Sequence, residues 1–267
     1  MRLSNLSRRS LALFSVLVVV FLSAPLLVIV IFAFGKSTIQ SFPIRHWTLS
    51  WFSVAWNDPA VRSSLVLSVK AGVLATAIAL VLGTLVAFGI HRFSFFGRNS
   101  VSLLLVLPIA LPGIVTGLAL QSAFILAGIP FSIYTIIVGH TTFCIVVVYN
   151  NVIARLRRSS VSLIEASGDL GATPIQTFRL VTVPMLRTAL IAGALLAFAL
   201  SFDEVIVTTF TAGAQSTLPV WIFGAIRLGQ QLPEVNAVVT GVLILTLAPI
   251  AYAARIASGE RVRRLAD

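Results

Sequence analysis

Charged side chains are scarce in this chain. Only 10% of its 267 residues are Asp, Glu, Lys or Arg, against about 25% in soluble globular domains, too few to cover a water-facing fold. Acidic residues are rarer still, 8 against 19 Lys and Arg. A single cysteine, Cys144, excludes an internal disulfide and a cysteine-based metal centre, and it leaves the redox compartment unread. No H-E-x-x-H, no G-x-S-x-G and no cluster of metal ligands is present, so neither catalytic residues nor a metal site are expected. A phosphate-binding loop is missing too. Gly35-Lys36-Ser37 resembles its end, but Val30 stands where the first glycine is required. The chain is therefore expected to bind no cofactor and to hydrolyse no ATP itself. Its formal net charge of +11 does not indicate nucleic acid, because the basic residues flank apolar segments instead of gathering on one solvated face.

Apolar residues are what the chain has in abundance, at 58% of the sequence with a mean hydropathy of +1.04. Windows of about 20 apolar residues, enough to cross about 30 Å of hydrocarbon, recur near 11–34, 62–90, 101–127, 132–154, 187–210 and 236–256. These predict six transmembrane helices, since a lone crossing segment must pair its own backbone groups. None of the six alternates with period two as barrel strands do. The first follows Arg2, Arg8 and Arg9 but is too long for a signal-peptide core and lacks a small-residue cleavage site. It is expected to be retained. With the N-terminus inside, Arg2, Arg8, Arg9, Arg92, Arg98, Arg155, Arg157, Arg158, Arg179, Arg187, Arg255, Arg261, Arg263 and Arg264 are cytoplasmic. Only Lys36, Arg45, Arg62 and Arg227 fall outside. That asymmetry predicts a multi-pass protein with both termini in the cytoplasm.

Two segments fall outside. Residues 35–61 carry Trp47, Trp51 and Trp56, which suit the membrane interface. Residues 211–235 are rich in Gly, Gln, Thr and Pro. Neither is long enough for a separate domain, so residues 1–267 are expected to form one transmembrane domain. On the second span Ala71, Ala75, Ala79, Gly83 and Ala87 recur every fourth residue, a stripe that lets helices approach closely. It is expected to serve packing within this chain, with a subunit interface as the other reading. Pro108 and Pro112 are expected to bend the third span.

The largest cytoplasmic connection, about 155–186, contains EASGDLGATPIQTFRLVTVP over residues 165–184. Ser162 and Glu165 match a capping box, and Gly171 suits the left-handed turn just past a helix end. Thr173-Pro174 can begin a second helix. Two short helices joined by a sharp glycine turn are thus predicted, a knob fitted to a cytoplasmic socket, with Pro184 ahead of the fifth span. Glu165, Ala166, Gly171 and Pro184 resemble the EAA signature of ABC importer permeases, E-A-A-x-x-x-G and then I-x-L-P. Ser167 replaces the second alanine, and Val181 and Val183 replace Ile and Leu. Residues 201–210 (SFDEVIVTTF), Thr217-Leu218-Pro219 and Pro233-Glu234-Val235-Asn236-Ala237 are similar to permeases of the spermidine/putrescine importer group.

This resemblance implies an all-α, six-helix permease of the type I importer architecture (MetI-like), in a bacterial inner membrane. It implies alternating access driven by two ATP-binding partner subunits, a second and different permease chain, and an extracytoplasmic solute-binding protein. Glu165, Ala166, Ser167, Gly171, Ala172 and Pro184 would form the segment that couples to the ATPases.

Lys70, Gln121, His140, Asp203 and Glu204 lie inside the predicted spans. Each is roughly six to nine residues from its outer end, or on the order of 10 Å deep. Intramembrane charges face a cavity or a partner. One reading pairs Lys70 with Asp203 or Glu204 to fix helix packing; the other lets Asp203 or Glu204 help an organic polycation pass. His140 is expected to be a hydrogen-bonded packing residue. The competing function is a gradient-driven transporter or channel using this polar layer.

Overall fold

The computed structural model of the chain describes residues 5–159, 162–229 and 231–246. Helices dominate it: α1 (Asn5–Ala33), α2 (Ser50–Asn57), α3 (Pro59–Arg92), α4 (Arg98–Ala110), α5 (Gly113–Leu126), α6 (Ile133–Arg158), α7 (Ser162–Asp169), α8 (Pro174–Thr177), α9 (Val183–Asp203), α10 (Ile206–Thr211) and α11 (Leu218–Leu228), followed by α12 (Leu232–Thr246). An isolated antiparallel bridge joins Gly35 to Trp47.

Four helical stretches are long and apolar enough to cross a membrane: Ser7–Ala33, Pro59–Arg92, Ile133–Arg158 and Pro174–Asp203. They cover the first, second, fourth and fifth predicted spans. The third differs from expectation. Instead of one bent helix over 101–127, the structure has two helices meeting at 103°. Pro108 is accommodated inside α4, and the break falls at Leu111-Pro112. The residue before a proline is pushed to extended geometry, and Leu111 adopts φ −80, ψ 145. Of the predicted sixth span, 236–246 falls on α12, while 247–256 lies outside the described residues.

Packing divides the chain into two units, residues 63–221 and the flanking parts up to Arg62 and from Ile222 onward. In the first, α6 is the central element. Ser132 and Thr135 form a capping box at its start, and Arg155, Arg157 and Arg158 occupy its last turn, where cations complement the helix dipole. Buried α6 residues Cys144, Val148, Tyr149 and Val152 join Ala79 and Ala87 of α3 and Leu186 and Ala197 of α9 in one core. Cys144 Sγ donates to the Ala197 carbonyl at 3.3 Å. Ala71, Ala75, Ala79 and Ala87 are all fully buried, so the small-residue stripe serves packing within the chain.

Gly83 shows how tight that seam is. A Cβ built there would stand 2.9 Å from the Ile145 carbonyl oxygen and 3.1 Å from the Tyr149 amide nitrogen. Because those neighbours are backbone, Gly83→Ala must push α3 off α6, and overpacking of this kind costs about 1–3 kcal/mol. The expected result is a fall in the midpoint of thermal unfolding in detergent, with an unchanged midpoint overturning the assignment.

In the second unit, the ends of the 34–48 loop are tied by hydrogen bonds between Lys36 and His46 and between Thr48 and Phe34. Trp51 Nε1 donates to the Gly35 carbonyl at 3.0 Å, which fixes α2 beneath the loop. Asp58 Oδ1 accepts from the Ala60 amide at 2.7 Å and so caps α3 ahead of Pro59. Glu234 is buried at the start of α12, and burial, followed by the neighbouring Asp58 carboxylate, holds its carboxyl above the usual carboxylate range.

Candidate coupling segment and intramembrane site

α7 ends in a hydrogen-bonded left-handed turn. Gly171 has φ +81, the Ala172 amide donates to the Ser167 carbonyl at 3.0 Å and the Gly171 amide to the Gly168 carbonyl at 2.8 Å. These are the two bonds of a Schellman stop, which satisfies carbonyls that a helix end otherwise leaves open. Thr173 then caps α8 in a capping box with Gln176, with Pro174 in the first position. Ser167 is buried at the turn. Its Oγ donates to the Ile164 carbonyl at 2.7 Å and lies 2.9 Å from Thr177 Oγ1, so the serine that departs from the EAA pattern supplies a clasp between the two arms. Glu165 and Ala166 are exposed on α7. Around them Leu163, Leu170, Ile175 and Leu180 are also exposed, Leu170 to 88%.

The second arm differs from the sequence expectation. α8 is not a separate short helix, and Pro184 does not precede the fifth span. Residues Pro174–Asp203 form one helical stretch of 30 residues, widened into a π turn at Phe178–Thr182. Pro184 lacks an amide hydrogen and its ring crowds the carbonyl four residues back. One inserted residue relieves that crowding without ending the helix, and the Val183 amide accordingly bonds the Phe178 carbonyl. Phe178 packs on Phe88 of α3 at a centroid distance of 5.7 Å. Arg155 Nε donates to the Met185 carbonyl at 3.1 Å. Both contacts brace the base of the segment.

At its other end, α9 stops at Asp203 although neither glycine nor proline follows. Glu204 supplies the reason: its Oε1 accepts from the Val207 amide at 2.9 Å and starts α10 in a new direction, a side-chain bond that competes with helix continuation. α10 packs against α5 and α6 where glycines admit it. A Cβ at Gly117 would stand 2.5 Å from the Phe210 ring, and one at Gly139 would stand 3.1 Å from Val207.

His140 is buried beside this break, with Nδ1 2.7 Å from Ser201 Oγ and Nε2 2.8 Å from Thr208 Oγ1. Thr208 commits its hydroxyl hydrogen to the Glu204 carbonyl at 2.6 Å. Nε2 therefore donates, and Nδ1 accepts from Ser201. The imidazole is fully occupied in joining α6 to α9 and α10, as expected of a packing residue. The hydroxyl partners Ser201 and Thr208 were not legible as a set, because nothing in the sequence pairs positions more than 60 residues apart.

The remaining polar residues do not gather into one cluster. Asp203 and Lys70 are exposed, Glu204 and Gln121 half-buried. No ion pair joins Lys70 to Asp203 or Glu204 among the described residues. No group of three potential metal ligands occurs among them either.

Among known proteins, the chain is similar to membrane transport subunits. Its sequence is 36% identical over 231 residues to the putrescine transport system permease protein PotI of Escherichia coli (strain K12), covering 84% of this chain and 82% of the relative. It is 31% identical to the spermidine/putrescine transport system permease protein PotC of the same strain, covering 85% and 86%. PotC of Haemophilus influenzae is 29% identical, with 88% and 91% covered. Among solved structures, a bacterial ABC transporter involved in the import of the acidic polysaccharide alginate superimposes with a TM-score of 0.68 at 16% identity, covering 96% of this chain and 98% of the other. The MetNI methionine ABC transporter, in inward-facing conformations, does so with a TM-score of 0.58 at 20% identity, covering 82% and 99%. These likenesses establish the MetI-like permease fold. Residues 79–258 match the family described as binding-protein-dependent transport system inner membrane component, and the chain belongs to that family.

Proposed function

We propose that this chain is the permease subunit through which an ATP-driven importer moves a polyamine such as putrescine or spermidine into a bacterial cell. The observation that carries the reading is the clasped α7–α8 turn, an exposed protrusion with an apolar surface, set on a helix that runs unbroken to Asp203. Glu165, Ala166, Ser167, Gly171, Ala172 and Pro184 make up its coupling segment. Two ATP-binding subunits receive the protrusion, a second permease chain completes the pathway, and a soluble binding protein delivers the cargo from outside. Both termini are cytoplasmic, and the chain acts as one transmembrane domain with α12 beginning a sixth span.

Substrate class follows from the far end of α9. An exposed carboxylate within a span must face a cavity or partner, and Asp203 has no Lys70 counter-ion to neutralise it. With Glu204 it makes that end electronegative, reinforced by the negative pole of the α9 dipole. The test is uptake of radiolabelled putrescine by vesicles containing the whole complex. Uptake that requires ATP and the binding protein is the expected result. Uptake by this chain alone, driven by an ion gradient without ATP, would replace the reading with the gradient-driven one.

A further inference from the structure

The carboxylates at the far end of α9 sit on backbone that cannot hold its own direction. Glu204 is extended at φ −73, ψ 114, Val205 belongs to neither helix, and α10 has six residues, too few for a helix to persist alone. What fixes them is α6. In its first turn the Thr135 hydroxyl, shared with the Ser132 carbonyl, reaches the Thr211 carbonyl of α10 at 2.7 Å. One turn on, Gly139 admits Val207. Further along α6, Cys144 Sγ bonds the Ala197 carbonyl of α9. His140 stands between these ties and holds both helices, through Ser201 on one side of the break and Thr208 on the other.

One imidazole ring thus brackets residues 203 and 204 from both flanks. His140, Ser201 and Thr208 are exposed by only 1%, 2% and 0%, so the bracket is complete inside this chain and needs no partner surface. Nor do the two hydroxyls need the ring for their own sake. Thr208 already gives its hydrogen to the Glu204 carbonyl, and a serine in a helix can donate to a carbonyl one turn back. What the ring adds is a crosslink. We propose that His140 is the positioning residue for the Asp203 and Glu204 carboxylates, setting where they stand in the passage by fixing the end of α9 and the start of α10 to α6. The proposal rests on the reading that these carboxylates meet the cargo.

The experiment measures putrescine uptake by vesicles containing the whole complex, with His140→Leu made in the parent chain and in the Asp203→Asn, Glu204→Gln background. Leucine fills the space but bonds neither hydroxyl. A group that acts through another loses its effect when that other is removed, whereas independent effects multiply. His140→Leu is expected to lower uptake about tenfold in the parent and less than about twofold in the neutralised background, with ATP hydrolysis still stimulated by loaded binding protein. His140→Gln, which keeps a donor for Thr208, is expected to recover part of the loss. Equal fold-losses in the two backgrounds, or no loss in the parent, overturn the proposal. If the leucine variant does not assemble, Ser201→Ala cuts only the α9 arm and carries the same comparison, with the same outcomes deciding. If the complex imports a solute other than a polyamine, the comparison made with that solute leaves the positioning role standing, and only the cargo reading falls.

Discussion

Gly171→Val is expected to abolish ATP-driven uptake while leaving the protein in the membrane, whereas Gly171→Asn is expected to retain most of it. No atom lies within 4 Å of a Cβ placed on Gly171, so the substitution costs nothing in collision. Its whole cost is backbone, because φ is +81. A β-branched residue in that region is strained by about 1–3 kcal/mol, whereas asparagine adopts it readily. α7 has only eight residues, too few to be stable alone, and depends on the two bonds of the turn and the Ser167 clasp. Strain of this size therefore releases the first arm and misdirects Glu165 and Leu170. The order Gly, Asn, Ala, Val is expected both for uptake and for the stimulation of ATP hydrolysis by loaded binding protein. An Asn variant as defective as the Val variant would show that something other than backbone conformation matters at position 171.

The second large effect lies at the opposite end of α9. The double variant Asp203→Asn, Glu204→Gln is expected to lower polyamine uptake about 10- to 100-fold, equivalent to about 1.4–2.7 kcal/mol of barrier. These replacements isolate charge from architecture. A glutamine at 204 keeps an oxygen to accept from the Val207 amide, so the start of α10 is preserved. Asp203 makes no hydrogen bond that the fold requires, being exposed at the end of its helix. Stimulated ATP hydrolysis should persist, which separates this variant from the Gly171 series, where hydrolysis and transport fall together. Uptake within about twofold of the parent would remove both carboxylates from the path.

What could be foreseen along the chain follows the range of the interactions. The positions of the first, second, fourth and fifth spans and the turn at Gly171 were legible because hydropathy, capping side chains and glycine act within a few residues. Thr173-Pro174 announced the start of α8 for the same reason. The continuity of α8 into α9 was not legible, since Pro184 reads locally as a stop and only the π turn at Phe178–Thr182 shows how the helix survives it. Pro112 was recognised as a distortion, but not as a break of 103°. The bend lets α4 pack against α6 while α5 packs against α10. The end of α9 at Asp203 carried no glycine or proline signal at all. There a carboxylate capping the next helix decided the geometry, and the His140 contacts to Ser201 and Thr208 held it from a distant segment.

One uninterrupted strut from Pro174 to Asp203 has a mechanical corollary. Thirty residues at 1.5 Å each make it about 45 Å long, so tilting the strut by about 5° about its cytosolic tip swings the carboxylate end sideways by about 4 Å. That is comparable to the width of an ammonium group. In the proposed coupling, nucleotide-driven movement at the protrusion would need no relay through intervening side chains to widen or pinch the passage, and the stiffness of the strut, above all at the widened turn beside Pro184, would set how much of the stroke arrives.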